Sequence, residues 1–376
     1  MTQQRTYLDY NASAPLRPAA RTAMLAAHDA FGNPSSVHTE GRRVRAIIET
    51  SREQVAALTG AKPSEIVFTS GATEANNCVV AAGWKTICVS AIEHESMLAP
   101  ARACGAKIIA LPAASDGRVD LQAVKGALAE ASSSGRTLLS VMLANNETGV
   151  IQPVEEAAEL ARELNISLHV DAVQAPGRVP LNFAALGADT LTISAHKLGG
   201  PRGVGALLIR DGISLPALIQ GGGQERRRRG GTENVAGIAG FGAAAAEVAK
   251  EMAAEAARIT ALRETLEAGV MAATPDAVII GGGAPRIGNT SCIAVPGKPS
   301  ETLVIRMDLD GVAISSGAAC SSGKIGANTV LAAMGLGSDV TASAVRVSLG
   351  YATTADDIAA FLAAWQKAAG GTALAA

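Results

Sequence analysis

Asp171 and Lys197 are 26 residues apart (197 − 171 = 26), and each follows a β-rich run, in His169-Val170-Asp171-Ala172-Val173-Gln174 and in Ser194-Ala195-His196-Lys197. One strand–helix–strand excursion spans that distance, so both side chains can arrive at the same carboxyl edge of a parallel sheet. A carboxylate and an amine meeting there suit pyridoxal 5'-phosphate: the lysine forms a Schiff base and the aspartate keeps the pyridine nitrogen protonated. An ordinary buried ion pair fits the same spacing.

Other residues with chemistry to offer follow other runs. At Ser70-Gly71-Ala72-Thr73 a β-rich run stops and a helical pattern starts. The unpaired N–H groups of a helix start hold anions and Thr73 adds a donor, although Ser and Thr are also common N-caps. Ser194 and His196, next to Lys197, supply further phosphate donors. His94, in Ile92-Glu93-His94-Glu95-Ser96, has the chemistry to stack on a flat ring and move protons; a solvated helix-start histidine is the plainer account. Asn146, in Asn145-Asn146-Glu147-Thr148-Gly149, places an amide at the same edge, where turn chemistry alone would also explain Asn and Gly. Strand alternation sets Arg346 on the face opposite Val345, Val347 and Leu349, either to grip a carboxylate bidentately or to face solvent from an edge strand.

Five cysteines are present, with no C-x-x-C pair, which argues against a disulfide framework and a structural zinc site. Cys78, Cys88, Cys104 and Cys292 fall in helical or strand patterns and are expected as inert core thiols. Cys320 differs, because Ser315-Ser316-Gly317-Ala318-Ala319-Cys320-Ser321-Ser322-Gly323 is a small-residue loop in which a thiol is accessible to act as a nucleophile. Arg226-Arg227-Arg228-Arg229 lies in a Gly-rich stretch without interleaved aromatics, so it reads as a loop ordering an anionic cofactor or a subunit contact rather than a nucleic-acid patch.

The elements that must position these residues are legible as a pattern. Seven apolar, β-rich runs, at 65–69, 86–90, 107–111, 137–143, 166–170, 189–193 and 204–209, alternate with helical patterns such as 119–131 and 154–164. Continuous apolar strands between helices indicate an α/β fold with a mainly parallel sheet covered on both faces, and its ligands belong at the strands' carboxyl ends. Val248, Met252, Ile259, Leu262, Leu266 and Val270 then recur at helical spacing in one long helix. Strands near 289–295 and 343–349 with helices at 300–308 and 355–368 follow, as a smaller α+β domain. The large domain is expected at 14–250 and the small one from 1–13 and 251–376. A chain of 376 residues with 48% hydrophobic residues has material for two such cores, and with only 3% aromatics they must be built from Ala, Val, Leu and Ile. The net charge of -2 supplies no global attraction to nucleic acid or membrane, so an anionic ligand needs a local site. No signal-like or membrane-spanning run stands out, and a cytoplasmic location is expected.

Taken together these segments resemble the cysteine desulfurase family, the NifS/IscS-like group of fold-type I pyridoxal-phosphate enzymes among the class-V aminotransferases. The resemblance runs almost end to end, through Tyr7-Leu8-Asp9-Tyr10-Asn11-Ala12, Asn33-Pro34-Ser35-Ser36, SGATEANN at 70–77, Glu93-His94, NNETG, HVDAVQ, SAHK, GGGQE, SSGAAC and RVSLG. It implies a homodimer, and an enzyme that converts L-cysteine to L-alanine while Cys320 takes the sulfur as a persulfide for iron–sulfur cluster assembly or another sulfur-acceptor protein. By the same resemblance Lys197 carries the cofactor, Asp171 meets its ring nitrogen and Gln174 its ring hydroxyl. Ala72, Thr73, Ser194 and His196 hold the phosphate, helped by Thr232 from the partner subunit, and His94 stacks on the ring and shuttles protons. Asn146 and Arg346 contact cofactor and substrate carboxylate. Competing readings are a selenocysteine lyase, a related aminotransferase, and a catalytically silent sulfur-relay or nucleic-acid-binding subunit.

Overall fold

The computed structural model describes residues 5–316 and 328–369. The seven apolar runs form one sheet in the spatial order Ile66–Thr69, Gly205–Ile209, Thr190–Ser194, Ser167–Asp171, Thr137–Ser140, Thr86–Ser90 and Lys107–Leu111. Gly205–Ile209 runs antiparallel to both neighbours, and the other pairs are parallel. Every residue of Thr190–Ser194 and Gly205–Ile209 is buried, which is why these strands read as unbroken apolar runs without alternation. The run expected to continue to 143 stops being a strand at Ser140, although Val141 and Leu143 still donate to the carbonyls of His169 and Asp171. At Gly205 a Cβ would stand 2.9 Å from Gly71 Cα, so the bare backbone lets the turn at 70–72 lie against the strand.

The long helix extends further than its apolar stripe suggested, spanning Val235–Ala273. Asn234 caps it by accepting from Gly237 N–H at 3.0 Å, and no proline interrupts it before Pro275. Its first part is buried all round, under the helices Pro18–Asp29 and Thr39–Thr59, neither of which the sequence pattern singled out. A Cβ on Gly242 would come 2.6 Å from Ser51 Cα, so the closeness of this packing requires glycine. Its second part buries only Ile259, Leu266 and Val270, a single stripe.

That stripe belongs to a second core with Leu8, Ile293, Val345, Val347, Phe361 and Trp365. A four-stranded antiparallel sheet carries it, with Ala344–Ser348 in an interior position between Ser315–Ser316 and Thr290–Ala294, and Val278–Ile280 at the far edge. Side-chain alternation divides the strand Thr290–Ala294: Ile293 enters this core, whereas Cys292 and Ala294 enter the core of the large sheet. The helix Ser300–Leu309 packs on this smaller sheet and Ala355–Ala369 packs against that helix and the long one, both close to the expected bounds.

Cys78, Cys88 and Cys292 are buried, and burial pushes the Cys88 thiol up to about 12. Cys104 corrects the sequence expectation of four core thiols. It is exposed, because it caps the helix Glu95–Ala103 just beyond its last buried residue, Ala101.

Candidate active site

At the carboxyl edge of the large sheet seven chain segments deliver side chains into one cavity of about 560 Å³. The strand Ile66–Thr69 ends at Ser70-Gly71, where the helix Ala72–Val80 begins, and Ala72 and Thr73 face the cavity. The one carboxylate of that first turn, Glu74, is drawn off: it accepts from Ser70 N–H at 2.8 Å and from Arg229 Nε at 3.0 Å. Burial by itself raises its pKa, but these bonds outweigh burial and hold it below the ordinary glutamate value. The helix start is thus left with donors facing the cavity.

Asp171 closes the strand Ser167–Asp171, and Ser194 closes the adjacent Thr190–Ser194, after which one tight turn brings His196 and Lys197 to the same edge. Asp171 accepts from Val173 N–H at 3.0 Å and Asn76 Nδ2 at 2.8 Å. Lys197 Nζ donates to the carbonyls of Asn11 at 2.5 Å and Ala12 at 3.0 Å. Gln174 Nε2 donates to the Asn11 carbonyl at 3.2 Å. The N-terminal segment therefore lies across the lysine, tied down where Asn11 Nδ2 donates to Thr290 Oγ1 and the Asn146 carbonyl at 2.9 and 3.0 Å.

His94 is the N-cap of the helix Glu95–Ala103, and its Nδ1 accepts from Ser96 N–H at 3.1 Å. Burial holds its imidazole below the ordinary value; Lys197 acts in the same direction and Asp171 against it. His196 is pushed down to about 4 by burial, with Lys197 and Arg202 adding to it. Both histidines are therefore neutral near pH 7. Glu93, fully buried, is pushed well above the carboxylate range by burial and by Asp171, so it does not add a second negative charge beside Asp171.

The two readings of the Asn145-Asn146 turn divide between its residues. Asn145 makes the turn, its Oδ1 accepting from Glu147 and Thr148 N–H, whereas Asn146 lines the cavity. Arg346 is 3% exposed in an interior strand, which removes the solvent-facing edge-strand reading. It donates from Nη2 to Asp9 Oδ1 at 2.9 Å and from Nη1 to the Asn146 carbonyl at 3.2 Å. Its Nε and the Oδ1 of Asn146 are buried without a hydrogen-bond partner among the described residues, and both residues line the cavity.

Ten of the residues singled out in the sequence thus share one cavity: Ala72, Thr73, His94, Asn146, Asp171, Gln174, Ser194, His196, Lys197 and Arg346. Thr232 is exposed and outside it. Cys320 lies outside the described residues. The sequence reading missed Asn11, Asn76, Ser96 and Arg202; for Asn76 the signal was its place one turn into the helix Ala72–Val80. The arginine run is held against its own chain: Arg226 donates to the Pro63 carbonyl, Arg228 to that of Ser64, and Arg229 to Glu74.

The donor set fits pyridoxal phosphate. A helix start with Ser194 suits its phosphate, a held carboxylate its ring nitrogen, and an amine its carbonyl, while Arg346 Nε and Asn146 Oδ1 are polar atoms without a partner among the described residues.

Comparison with known proteins agrees with this chemistry. Residues 6–361 match the family model described as aminotransferase class-V. The chain is 40% identical over 367 residues to "Cysteine desulfurase IscS" of Dictyoglomus turgidum, covering 95% of this chain and 92% of that one. It is 41% identical over 367 residues to "Cysteine desulfurase" of Cereibacter sphaeroides, covering 94% and 93%. Among solved structures it is similar to the NifS-like protein from Rickettsia africae ESF-5, with a TM-score of 0.90, 35% identity and coverage of 97% and 99%.

Proposed function

The chain belongs to the class-V aminotransferase family as a pyridoxal-phosphate-dependent cysteine desulfurase, and from that premise we propose that the cavity at the sheet edge is where L-cysteine loses its sulfur. The observation that carries the assignment is the convergence of Lys197, Asp171 and a donor-rich helix start on one cavity beside the buried Arg346. Lys197 would hold the cofactor's carbonyl carbon, Asp171 its ring nitrogen, Gln174 its ring hydroxyl, and Ala72, Thr73, Ser194 and His196 its phosphate. Bound there, the cofactor supplies an electron sink for the pair released when Cα loses its proton.

The chain's own residues do the rest. Arg346 Nε and Asn146 Oδ1 are placed to hold the substrate's carboxylate and amino end, since a buried polar atom without a partner is costly until a ligand satisfies it. Lys197 Nζ is the amine positioned to take and return the Cα proton, and the Asn11 and Ala12 carbonyls keep it at the cavity wall. His94, neutral and on the cavity wall, attends the thiol proton. Cys320 supplies the thiolate that attacks the substrate sulfur. The S–S bond forms as the substrate's Cβ–S bond breaks, the bonding electron pair stays with Cβ and takes up the proton given up by the Cys320 thiol, and Cα regains the proton it lost, so one cysteine and one thiol become alanine and a persulfide.

The same reading extends to organisation. The large domain is taken as 14–250 and the small one as 1–13 with 251–376; Leu8, Phe361 and Trp365 in the second core support that division, whereas Cys292, Ala294, Leu331 and Met334 pack into the large core across it. Thr232, exposed on its loop, reaches the phosphate site of a second copy in a homodimer. The persulfide passes to a sulfur-acceptor protein, such as an iron–sulfur scaffold, in the cytoplasm. Among the described residues no helix is long and apolar enough to cross a membrane. The test is to incubate purified protein with pyridoxal phosphate and L-cysteine. Equal alanine and sulfane sulfur, with no keto-acid requirement, support the reading, and keto-acid-dependent transfer without sulfide would replace it.

A further inference from the structure

Asn76, which is 0% exposed, joins two titratable residues, Asp171 and His169, to Ser96 through one side chain. Its Nδ2 donates to Asp171 Oδ2 and to Ser96 Oγ, both at 2.8 Å, and its Oδ1 lies 3.2 Å from His169 Nε2. The carboxylate decides which end of the amide is which. An ionised carboxylate only accepts hydrogen bonds, so the amide nitrogen must face Asp171. Oδ1 then faces His169 and needs a donor, which puts the His169 proton on Nε2. Nδ1 of His169 accordingly accepts from Thr190 Oγ at 2.9 Å.

On the other side, the second Asn76 N–H occupies Ser96 Oγ as acceptor, leaving the hydroxyl proton to go to His94 Nδ1, 2.8 Å away. The Ser96 main-chain N–H points at the same nitrogen from 3.1 Å. A ring nitrogen that accepts twice carries no proton, so neutral His94 has its proton on Nε2. The opposite tautomer would set an N–H against an N–H across that 3.1 Å gap.

We propose that Asn76 is a positioning residue that relays the polarity of Asp171 through Ser96 to His94, so that His94 offers the cavity an N–H and not a lone pair. The relay rests on the cofactor-site reading only for its consequence in catalysis. Its geometry is complete within the chain. His94 then enters the reaction as a donor at Nε2, and taking up a proton there would require its own proton to move to Nδ1, against the Ser96 main-chain N–H.

The test is histidine ¹⁵N NMR on the full-length protein near neutral pH, with and without pyridoxal phosphate, the His94 signals being assigned by their loss in His94→Gln. The expected wild-type result is a proton on Nε2 and a bare, hydrogen-bonded Nδ1. Ser96→Ala should move the Nδ1 resonance towards that of a free ring nitrogen while cofactor affinity stays within about twofold, because the Asn76–Asp171 bond survives. Asn76→Ala and Asn76→Asp should move the same resonance and weaken cofactor affinity by about tenfold or more, the loss expected of a charge-assisted hydrogen bond. A wild-type His94 protonated on Nδ1 overturns the proposal without recourse to any variant. So does a folded Asn76→Ala protein with unchanged resonance and affinity. If the protein binds no pyridoxal phosphate at all, the cofactor reading fails, and the tautomer measured without it still decides the relay.

Discussion

Arg52 and Glu225, distant in sequence, meet as a buried, doubly bonded ion pair, with Arg52 Nη1 and Nη2 donating to Glu225 Oε2 and Oε1 at 2.8 Å each. Both side chains are almost wholly enclosed, and Glu225 also accepts from Phe68 N–H at 2.9 Å. The pair pins the Gly-rich loop to the strand whose end forms the anion turn. It also holds three successive non-glycine residues, Glu225, Arg226 and Arg227, in left-handed backbone at φ 42°, 56° and 64°, which an unanchored loop would relax.

Replacing one partner leaves the other charge buried. Arg52→Met is expected to lower unfolding stability by about 3–5 kcal/mol. Urea unfolding of the variant measures this directly. A loss below about 1 kcal/mol, the range of an exposed ion pair, would remove the pair from its anchoring role.

Lys197→Ala should abolish the absorbance of lysine-bound pyridoxal phosphate and lower alanine formation by more than about 100-fold. Spectra and product assays on the same preparation check both. Retained colour together with retained turnover would place the cofactor on another amine.

Cys320→Ala should keep the Lys197-bound cofactor spectrum and lose persulfide on the protein, because the electron sink and the sulfur acceptor are separate groups. Mass spectrometry of the protein after incubation with L-cysteine reads the persulfide. Unchanged sulfide release would transfer the sulfur-accepting role away from Cys320.

Glu147 carries a pH signature. Burial pushes its carboxyl up to about 7, while Asn328, whose Nδ2 donates to it, and Arg346 oppose the shift. The folded state therefore holds this proton more tightly than the unfolded chain, whose glutamates titrate near pH 4.3, and the contribution to stability falls as pH rises between those values. Glu147→Gln should match the wild type near pH 4.5 and become relatively more stable towards pH 8, by up to about 3 kcal/mol. Chemical unfolding of both proteins across that range tests the sign; a difference that does not change with pH would show that Glu147 is ionised throughout.

The seven strands, the type of sheet they build and the chemistry-bearing residues that follow them are legible in the amino-acid order. Hydrophobic runs and turn residues are local signals, and Asp171, Ser194, His196 and Lys197 are carried to the sheet edge by the strands that precede them. Boundaries were less legible, as at Thr137–Ser140, because where a strand ends depends on its neighbours. Tertiary structure alone decided which groups meet from afar. Asn11 reaches Asn146 and Thr290, Arg346 pairs with Asp9, and Asn76 bridges Asp171 and Ser96, contacts that no periodicity encodes. It also decided that Cys104 faces solvent and that three of four clustered arginines hydrogen-bond to their own chain. Burial and hydrogen-bond partnership are properties of the packed molecule, and they set the protonation of His94, Glu93 and Glu147 where residue identity could not.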